Sequence, residues 1–278
     1  MAVMKFSILM AAGLPLVAMT PLMAEGVKSG HGEAELLAPS ESYKEGKPLT
    51  LGIRLKVEEG WHAYWTNPGE GGMALSAKWT LPQGWTAGAL QAPVPKRFKT
   101  GDLPGFGYEG EAVYLVELTP PNGRGSGVPT VEFKVKLSWL TCNEKACVPG
   151  NVELAVKLPP GDAAAGKDAA AIAAAAKKIP KTVPGLKLDL AESGKTLTLT
   201  LNRTPGLDLS GAQAFPATPQ VVDAADPLEL QPVQPATSGW TITAKKNEYA
   251  EGPATLFDIV LAGGKLEQPV LVSWPAKK

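Results

Sequence analysis

The chain contains two cysteines, Cys142 and Cys147, in the stretch "SWLTCNEKACVPG" between residues 138 and 150. A pair this close is compatible with a structural disulfide, a metal site built on thiolates, or a dithiol that is oxidised and reduced. Alternating apolar residues precede and follow the pair, so we expect the two cysteines to face each other across a hairpin loop. A disulfide needs α-carbons within about 7 Å, and a hairpin end supplies that distance.

A structural disulfide would add little stability at this position. Closing so short a loop removes only ~2 kcal/mol of unfolded-state entropy, and two paired strands would already hold the loop closed. Two cysteines are also too few for a fold held by a disulfide framework. A brace stays open as an alternative, in which the protein is a non-catalytic binding or scaffold module.

A metal site has few candidate ligands besides the cysteines. The chain has two histidines, His31 and His62, whereas a structural zinc ion usually takes four Cys or His ligands at characteristic spacing. We therefore assign no metal ligands. Because two thiolates alone can hold Cu(I), copper handling by the reduced pair stays open as a further alternative.

A redox role is consistent with the scarcity of cysteines, since an exported protein with one close pair avoids mispairing. The pair is not a Cys-x-x-Cys motif at a helix N-terminus, so no helix dipole lowers a thiol pKa. We expect a relay, which accepts electrons when a partner's thiolate attacks the disulfide and passes them on by the same exchange. This chemistry requires no cofactor, and none is expected.

The N-terminus indicates export. An apolar run from Phe6 to Ala24 follows a basic residue and precedes the polar "EG", which is typical of a secretory signal peptide over residues 1–24, cleaved after Ala24. Pro15 and Pro21 interrupt the run, which is shorter than the ~20 apolar residues of a membrane-spanning helix. We expect a periplasmic protein with no membrane span after cleavage, in a compartment where cysteines can be oxidised.

Length and charge restrict the function classes further. Removing 24 residues from 278 leaves about 254, which suggests one large or two ordinary domains. The formal net charge is zero at pH 7, so no strongly basic face is implied and nucleic acid is not an expected partner.

Period-two alternation dominates the sequence and predicts an all-β fold. "VEFKVKLSW" from residue 131 and "NVELAVKL" from residue 151 place apolar side chains on one face and polar ones on the other. The 26 prolines and 30 glycines supply turns between such segments. An immunoglobulin-like antiparallel sandwich follows from short strands of this kind.

One alanine-rich stretch, residues 161–180, breaks the alternation. Asp168 is a candidate N-cap, alanine is the best helix former, Lys177 and Lys178 suit a C-terminus, and Pro180 ends the segment. The pattern predicts a helix of about 11 residues that connects two β domains rather than binding a partner. We place these domains at residues 25–160 and 181–278.

Two longer stretches carry a family resemblance. "GWHAYWTNPGEGG", residues 60–72, and "WLTCNEKACVPG", residues 139–150, resemble the N-terminal periplasmic module of the protein-disulfide reductase DsbD family, and most closely its ScsB branch. The resemblance covers residues 33–160 and extends more weakly into the second domain. It implies an immunoglobulin-like sandwich whose two cysteines shuttle electrons, in a family associated with cytochrome c biogenesis and copper tolerance.

The resemblance also implies roles for individual residues. Cys142 and Cys147 match the redox pair, and Cys147 corresponds to the cysteine that forms the intermolecular bond. Phe106 and Tyr108 are the candidates for an aromatic cap that shields the cysteines, although ordinary core or turn positions are equally compatible with the sequence. His62 and Tyr64 would be able to hydrogen-bond a thiolate if their strand lies beside the hairpin; a packed structural role is the alternative.

The sequence departs from full-length relatives, which continue into membrane helices and a thioredoxin-like domain, whereas this chain ends at "VSWPAKK". We therefore expect electrons to come from a separately encoded membrane conduit or thioredoxin-like protein. The expected clients are periplasmic disulfide oxidoreductases. The second domain shows no acid, base or nucleophile constellation and is interpreted as a spacer or docking surface.

Overall fold

The computed structural model describes residues 26–121, 130–234 and 239–275. The predicted signal peptide, residues 1–24, lies outside the described residues. Within those residues the fold is all-β, as the alternation predicts. The antiparallel sheets form two sandwiches, and a short helix lies between them along the chain. In the same part of the chain, no helix combines the length and the apolarity that a membrane crossing requires.

The first sandwich consists of the strands that precede the helix. One sheet has the order β1-β2-β3-β9-β6, and the other has the order β11-β10-β4-β8-β7 with β5 also paired to β10. The strands are β1 (Val27–Ser29), β2 (Gly32–Leu37), β3 (Leu49–Val57), β4 (His62–Gly69), β5 (Ser76–Thr80), β6 (Thr86–Ala87), β7 (Lys96–Thr100), β8 (Leu103–Tyr108), β9 (Glu111–Thr119), β10 (Val131–Cys142) and β11 (Cys147–Leu158).

The long hairpin of β10 and β11 shows how the alternation produces the core. The two strands pair without interruption from Val131 opposite Leu158 to Cys142 opposite Cys147. The odd-numbered residues of β10 from Val131 to Trp139 are buried between the sheets. Side chains of a strand alternate between its two faces, so Cys142 lies on the face of the sheet that points away from this core.

The second sandwich follows the helix and has its own apolar core. Its sheets have the orders β12-β13-β17-β16 and β15-β14-β18-β19. The strands are β12 (Leu188–Ser193), β13 (Thr196–Asn202), β14 (Gln213–Pro216), β15 (Leu228–Glu229), β16 (Gln231–Pro232), β17 (Gly239–Lys245), β18 (Phe257–Ala262) and β19 (Val270–Trp274).

The alanine-rich stretch forms helix α1 (Ala169–Ala176), shorter than the sequence predicts. Asp168 is its N-cap residue but makes no side-chain capping bond; its carboxylate accepts a hydrogen bond from the Ala38 amide instead. Ile172 packs with Leu37 and Leu115 on the outer face of the first sandwich. The small alanine side chains let the helix lie close to this sheet, so the connector is docked against it.

The two sandwiches share a continuous apolar contact. Phe215 on β14 belongs to the same buried cluster as the core of the first sandwich. Its ring makes edge contacts with Trp65 and Phe106, at centroid distances of 6.4 and 6.3 Å. Asn67 Nδ2 donates a 2.8 Å hydrogen bond to the Pro216 carbonyl across the same boundary. The second sandwich therefore packs on strands β4 and β8 of the sheet that carries the cysteines.

Candidate redox site

Cys142 and Cys147 form a disulfide at the tip of the β10–β11 hairpin. They are directly opposite residues with α-carbons 4.1 Å apart. Their environments differ strongly, because Cys142 is 0% exposed whereas Cys147 lies in an exposed position. The Cys147 side of the disulfide is therefore the side open to solvent.

The loop between the cysteines is closed by its own hydrogen bonds. The Asn143 side-chain oxygen accepts hydrogen bonds from the amides of Lys145 and Ala146, at 2.8 and 2.9 Å. The Asn143 amide donates to the Ala146 carbonyl at 2.9 Å. An Asn side chain that bonds the backbone two residues ahead is a common turn-forming device. The hairpin thus brings the two sulfurs together without depending on the disulfide.

The β1–β2 turn braces the hairpin from the other sheet. Thr141 donates a hydrogen bond to the Gly30 carbonyl, and the Asn151 amide donates to Ser29 Oγ. Gly30 has a positive φ of 51° and fits against the Pro149 backbone, where a Cβ would collide. Next to it, His31 Nδ1 lies 2.7 Å from a Glu58 carboxylate oxygen. His31 is thus part of this turn and lies on a different strand pair from His62.

His62 lies directly opposite Cys142 in the pairing of β4 with β10. Directly opposite residues of an antiparallel pair have side chains on the same face, with Cβ atoms about 4.5–5.5 Å apart. His62, Cys142 and Cys147 therefore form a row across three neighbouring strands. The strand of His62 therefore lies beside the cysteine hairpin, which is the condition that the sequence hypothesis set. A hydrogen bond from His62 or Tyr64 to a cysteine sulfur stays a prediction.

Residues from β4 and β7 surround the His62 ring. Its Nε2 lies 3.0 Å from Thr100 Oγ1 and 3.3 Å from the Tyr64 hydroxyl. The Phe98 ring lies against it, with centroids 3.9 Å apart. Together these residues, His62, Tyr64, Phe98 and Thr100, form what we call the His62 cluster.

Two glycines on β8 make room for the Phe98 ring. Gly105 lies directly opposite Phe98, and Gly107 lies directly opposite Tyr64. A Cβ at either glycine would come within 2.9 Å of the Phe98 ring. Because strand β8 presents no side chain on this face at these positions, Phe98 reaches across it to His62.

Burial sets the protonation of the His62 cluster. It lowers the pKa of His62, with an opposing contribution from the Glu109 carboxylate. Burial also raises the pKa of Tyr64, with an opposing contribution from the hydrogen bond to Thr100. His62 is therefore neutral near pH 7, and Tyr64 is a protonated hydroxyl.

The structure places Phe106 and Tyr108 on the opposite face of the sheet. Tyr108 lies opposite Ala63, which lies opposite Thr141, so its side chain shares the face of Thr141 and not that of Cys142. Its hydroxyl donates to the Pro93 carbonyl at 2.7 Å. Phe106 has the same orientation and packs on Trp65, with centroids 6.2 Å apart. Shielding by these two residues stays a prediction that their location does not favour; Tyr64 and Phe98 are the aromatic side chains that lie with His62 on the disulfide's face.

Sequence reasoning missed Phe98 and Thr100. The alternation in "GFGY" contained a signal, since two glycines on one face leave space for a ring from a neighbouring strand. Among the residues that the structure describes, no group of three or more His, Cys, Asp or Glu side chains is arranged to hold a metal.

Comparison with known proteins agrees with this geometry. Residues 33–159 match the family described as Thiol:disulfide interchange protein DsbD, N-terminal. These residues form a DsbD-like N-terminal domain. The fold is similar to that of the N-terminal periplasmic domain of ScsB from Proteus mirabilis, with a TM-score of 0.63 and 19% sequence identity over 87% of this chain and 92% of that chain. The similarity to ScsB therefore extends beyond the DsbD-like domain into the second sandwich.

Two other comparisons do not inform the fold or the function of this chain. The YadV chaperone aligns over 86% of this chain and 98% of its own, with a TM-score of only 0.25 and 12% identity. No curated protein is significantly similar in sequence. The DsbD-like domain and its disulfide support a thiol–disulfide interchange domain.

Proposed function

We propose that this protein is an exported electron relay that uses the Cys142–Cys147 pair to reduce client proteins in the periplasm. The observation that carries the proposal is the asymmetry of the disulfide. Cys147 is exposed at the hairpin tip, and Cys142 is 0% exposed beside His62. A brace requires no such difference, because either sulfur serves equally well in a bond that never opens.

The exchange begins at Cys147. A thiolate of the reductant attacks the Cys147 sulfur, a new disulfide joins the two proteins, and the Cys142–Cys147 bond breaks with its electron pair on Cys142. A second thiolate of the reductant then attacks its own sulfur in the mixed disulfide and releases Cys147. The reductant leaves as a disulfide, and the relay holds two electrons as a dithiol after each thiolate takes up a proton.

The reduced relay then transfers both electrons to a client. The Cys147 thiolate attacks the client disulfide and forms a mixed disulfide, and one client sulfur leaves as a thiolate. The Cys142 thiolate next attacks Cys147, which restores the original disulfide and releases the second client thiolate. The pairing of His62 opposite Cys142 supports a role for this residue, because a neutral imidazole is suited to exchange a proton with a cysteine sulfur.

Location and partners follow from the same proposal. The similar ScsB domain is periplasmic by description, and the same compartment would supply oxidised clients for this chain. Reduction requires a membrane conduit or a thioredoxin-like protein whose reactive thiol reaches Cys147. The expected clients are disulfide oxidoreductases with an exposed disulfide of their own.

The reduction potential of the Cys142–Cys147 pair tests the proposal. Purified protein is equilibrated with glutathione and dithiothreitol buffers, and the fraction of dithiol is read by thiol alkylation and mass. A potential between roughly −270 and −120 mV, the range of exchanging pairs, supports the relay. A potential below about −300 mV, or a bond that opens only when the domain unfolds, contradicts it and favours a brace.

A trapping experiment tests whether exchange with proteins occurs. The Cys142→Ser variant keeps the exposed cysteine and lacks the one that resolves the mixed disulfide. It should accumulate a mixed disulfide with an oxidised thioredoxin-like protein, whereas the double variant that also lacks Cys147 should not. Absence of any mixed disulfide, together with a potential in the exchanging range, would indicate a partner of a different class.

A further inference from the structure

Arg97 connects the second sandwich to β7, the strand whose Phe98 and Thr100 side chains contact His62. Its Nη2 donates hydrogen bonds to the carbonyl oxygens of Ala224 and Asp226, both at 2.7 Å. Its guanidinium lies over the Phe106 ring, 4.9 Å from the centroid. The two carbonyl groups belong to the segment between β14 and β15, so these bonds cross from the first sandwich to the second.

The next residue of the same strand contacts the redox site. Side chains alternate along a strand, so Arg97 points toward Phe106 and the second sandwich while Phe98 and Thr100 point to the other face. There Phe98 lies against His62 and Thr100 Oγ1 lies 3.0 Å from His62 Nε2. His62 in turn lies opposite Cys142. A continuous series of contacts therefore runs from the second sandwich through β7 to the buried cysteine.

Strand β7 needs such a support. It has five residues and lies at the end of its sheet, paired only with β8 in the described residues. Its partner β8 contains Gly105 and Gly107, which contribute no side-chain packing on the redox face. Short strands at a sheet edge open more readily than central ones, because few contacts hold them.

We propose that the second sandwich is a working part of the redox site, and that Arg97 is the positioning residue through which it holds β7 and the His62 cluster over Cys142. This inference rests on the proposed exchange function. It assigns the second sandwich a role beyond that of a spacer. When β7 is held, Cys142 stays buried and exchange is confined to Cys147. When β7 is released, the His62 cluster loosens and the Cys142 sulfur becomes open to attack.

The test is the Arg97→Met variant, which keeps an unbranched apolar stem and loses both hydrogen bonds to the second sandwich. The oxidised protein is treated briefly with reduced glutathione, quenched with acid, and mapped for the cysteine that carries glutathione. Loss of a hydrogen bond to a charged group typically changes the ratio of two conformations about tenfold. We expect glutathione on Cys147 in the parent protein and an approximately tenfold larger fraction on Cys142 in the variant.

A second measurement does not depend on redox chemistry. The chain has two histidines, so the His62 ring protons can be assigned by NMR from a His62→Gln spectrum. In the parent protein the Phe98 ring, 3.9 Å away, should shift these resonances upfield. The Arg97→Met variant should lose part of that shift, and Phe215→Leu, which weakens the boundary from the other side, should act in the same direction.

Controls separate positioning from general destabilisation. Lys99→Met places the same side chain two residues further on the same face of β7, where the lysine is exposed. Leu199→Ala opens a cavity in the second sandwich, at a residue that is 0% exposed within its own core. Neither should move the His62 resonances or redirect glutathione at a temperature where each variant is folded.

The outcomes distinguish the two proposals. Unchanged His62 resonances and an unchanged glutathione position in both Arg97→Met and Phe215→Leu would overturn the positioning role. If the folded parent protein forms no mixed disulfide at all, the exchange function fails, and the NMR comparison still decides whether Arg97 positions His62. If Leu199→Ala behaves as Arg97→Met does, the effect is general loosening and the inference is wrong.

Discussion

His62 and Cys142 lie directly opposite each other in the short pairing of β4 with β10. That pairing contains two residue pairs, Thr141 with Ala63 and Cys142 with His62, and it is where the central strand of the sheet meets the redox hairpin. The relationship gives the two cysteines unequal surroundings, since Cys142 has a neighbouring strand on each side whereas Cys147 begins the edge strand β11. The asymmetry of the disulfide is thus a consequence of sheet order.

The unequal burial predicts unequal thiol reactivity. In the Cys142→Ser variant the exposed Cys147 should react rapidly with a chromogenic aromatic disulfide. In Cys147→Ser the remaining Cys142, 0% exposed in the parent fold, should react at least about tenfold more slowly, since attack then requires local opening of the site. Stopped-flow absorbance measures both rates. Equal rates in denaturant serve as the control, and equal rates in the folded variants would contradict the asymmetry.

The lowered pKa of His62 predicts a loss of stability in mild acid. Burial holds the pKa of folded His62 below its ordinary value, with a counteracting contribution from Glu109. As the pH falls below about 6.5, the unfolded chain takes up a proton that the folded protein does not. The free energy of unfolding should therefore fall with decreasing pH until the folded pKa is reached, by at most about 1.4 kcal/mol per pH unit for this one group.

The His62→Gln variant isolates that contribution. A Gln side chain lacks the titration but keeps a group that can bond Thr100. Urea unfolding of both proteins between pH 5 and 7.5 gives the difference in slope, in which carboxylates common to both proteins cancel. A parent protein whose stability follows the same pH profile as the variant would show that His62 titrates normally.

Much of the fold could be predicted from period-two alternation. The pattern of β10 and β11 is local, so it identified the strands, the hairpin and the facing cysteines. The alanine tract likewise identified a helix, because alanine favours helix in any surroundings. Its extent and its docking on Leu37 and Leu115 were not predictable, since they depend on a groove formed by strands distant in the chain.

The parts of the site that sequence reasoning missed depend on register between strands. Alternation in "GFGY" indicates that Phe106 and Tyr108 share one face of the strand and that the two glycines share the other. It does not state which of these faces carries Cys142, because that is set by the pairing of β8 with β4 and of β4 with β10. The contacts of Arg97 could not be predicted for the same reason, since the carbonyl groups that it binds, those of Ala224 and Asp226, belong to the other sandwich.

The Asn143 turn should stabilise the disulfide relative to the dithiol. Asn143→Ala removes the acceptor of two backbone amide hydrogen bonds, so the reduced hairpin tip should hold its two thiols together less well. A loss of about 0.5–1.5 kcal/mol in closing the ring corresponds to a reduction potential less negative by about 10–30 mV. Equilibration with glutathione buffers measures the change. Lys145→Ala is the matched control, because the turn uses only the Lys145 amide; an equal shift in both variants would rule out the side chain of Asn143 as the cause.

The close approach of the β8 and β4 backbones at Gly107 should be required for the position of the His62 cluster. A Cβ at Gly107 would collide with the Ala63 carbonyl oxygen, which belongs to the β4 backbone, and would lie 2.9 Å from the Phe98 ring. Backbone cannot yield as a flexible side chain does, so Gly107→Ala should separate β8 from β4 and cost several kcal/mol, of the order of an overpacked core. Gly88→Ala is the control, since its Cβ would make only an ordinary 3.4 Å contact with the Glu117 carbonyl. Urea unfolding should show a large loss for the first variant and a small one for the second. If Gly107→Ala retains parental stability and Cys142 stays unreactive toward thiol reagents, the close approach of β4 and β8 is not what keeps the redox site closed.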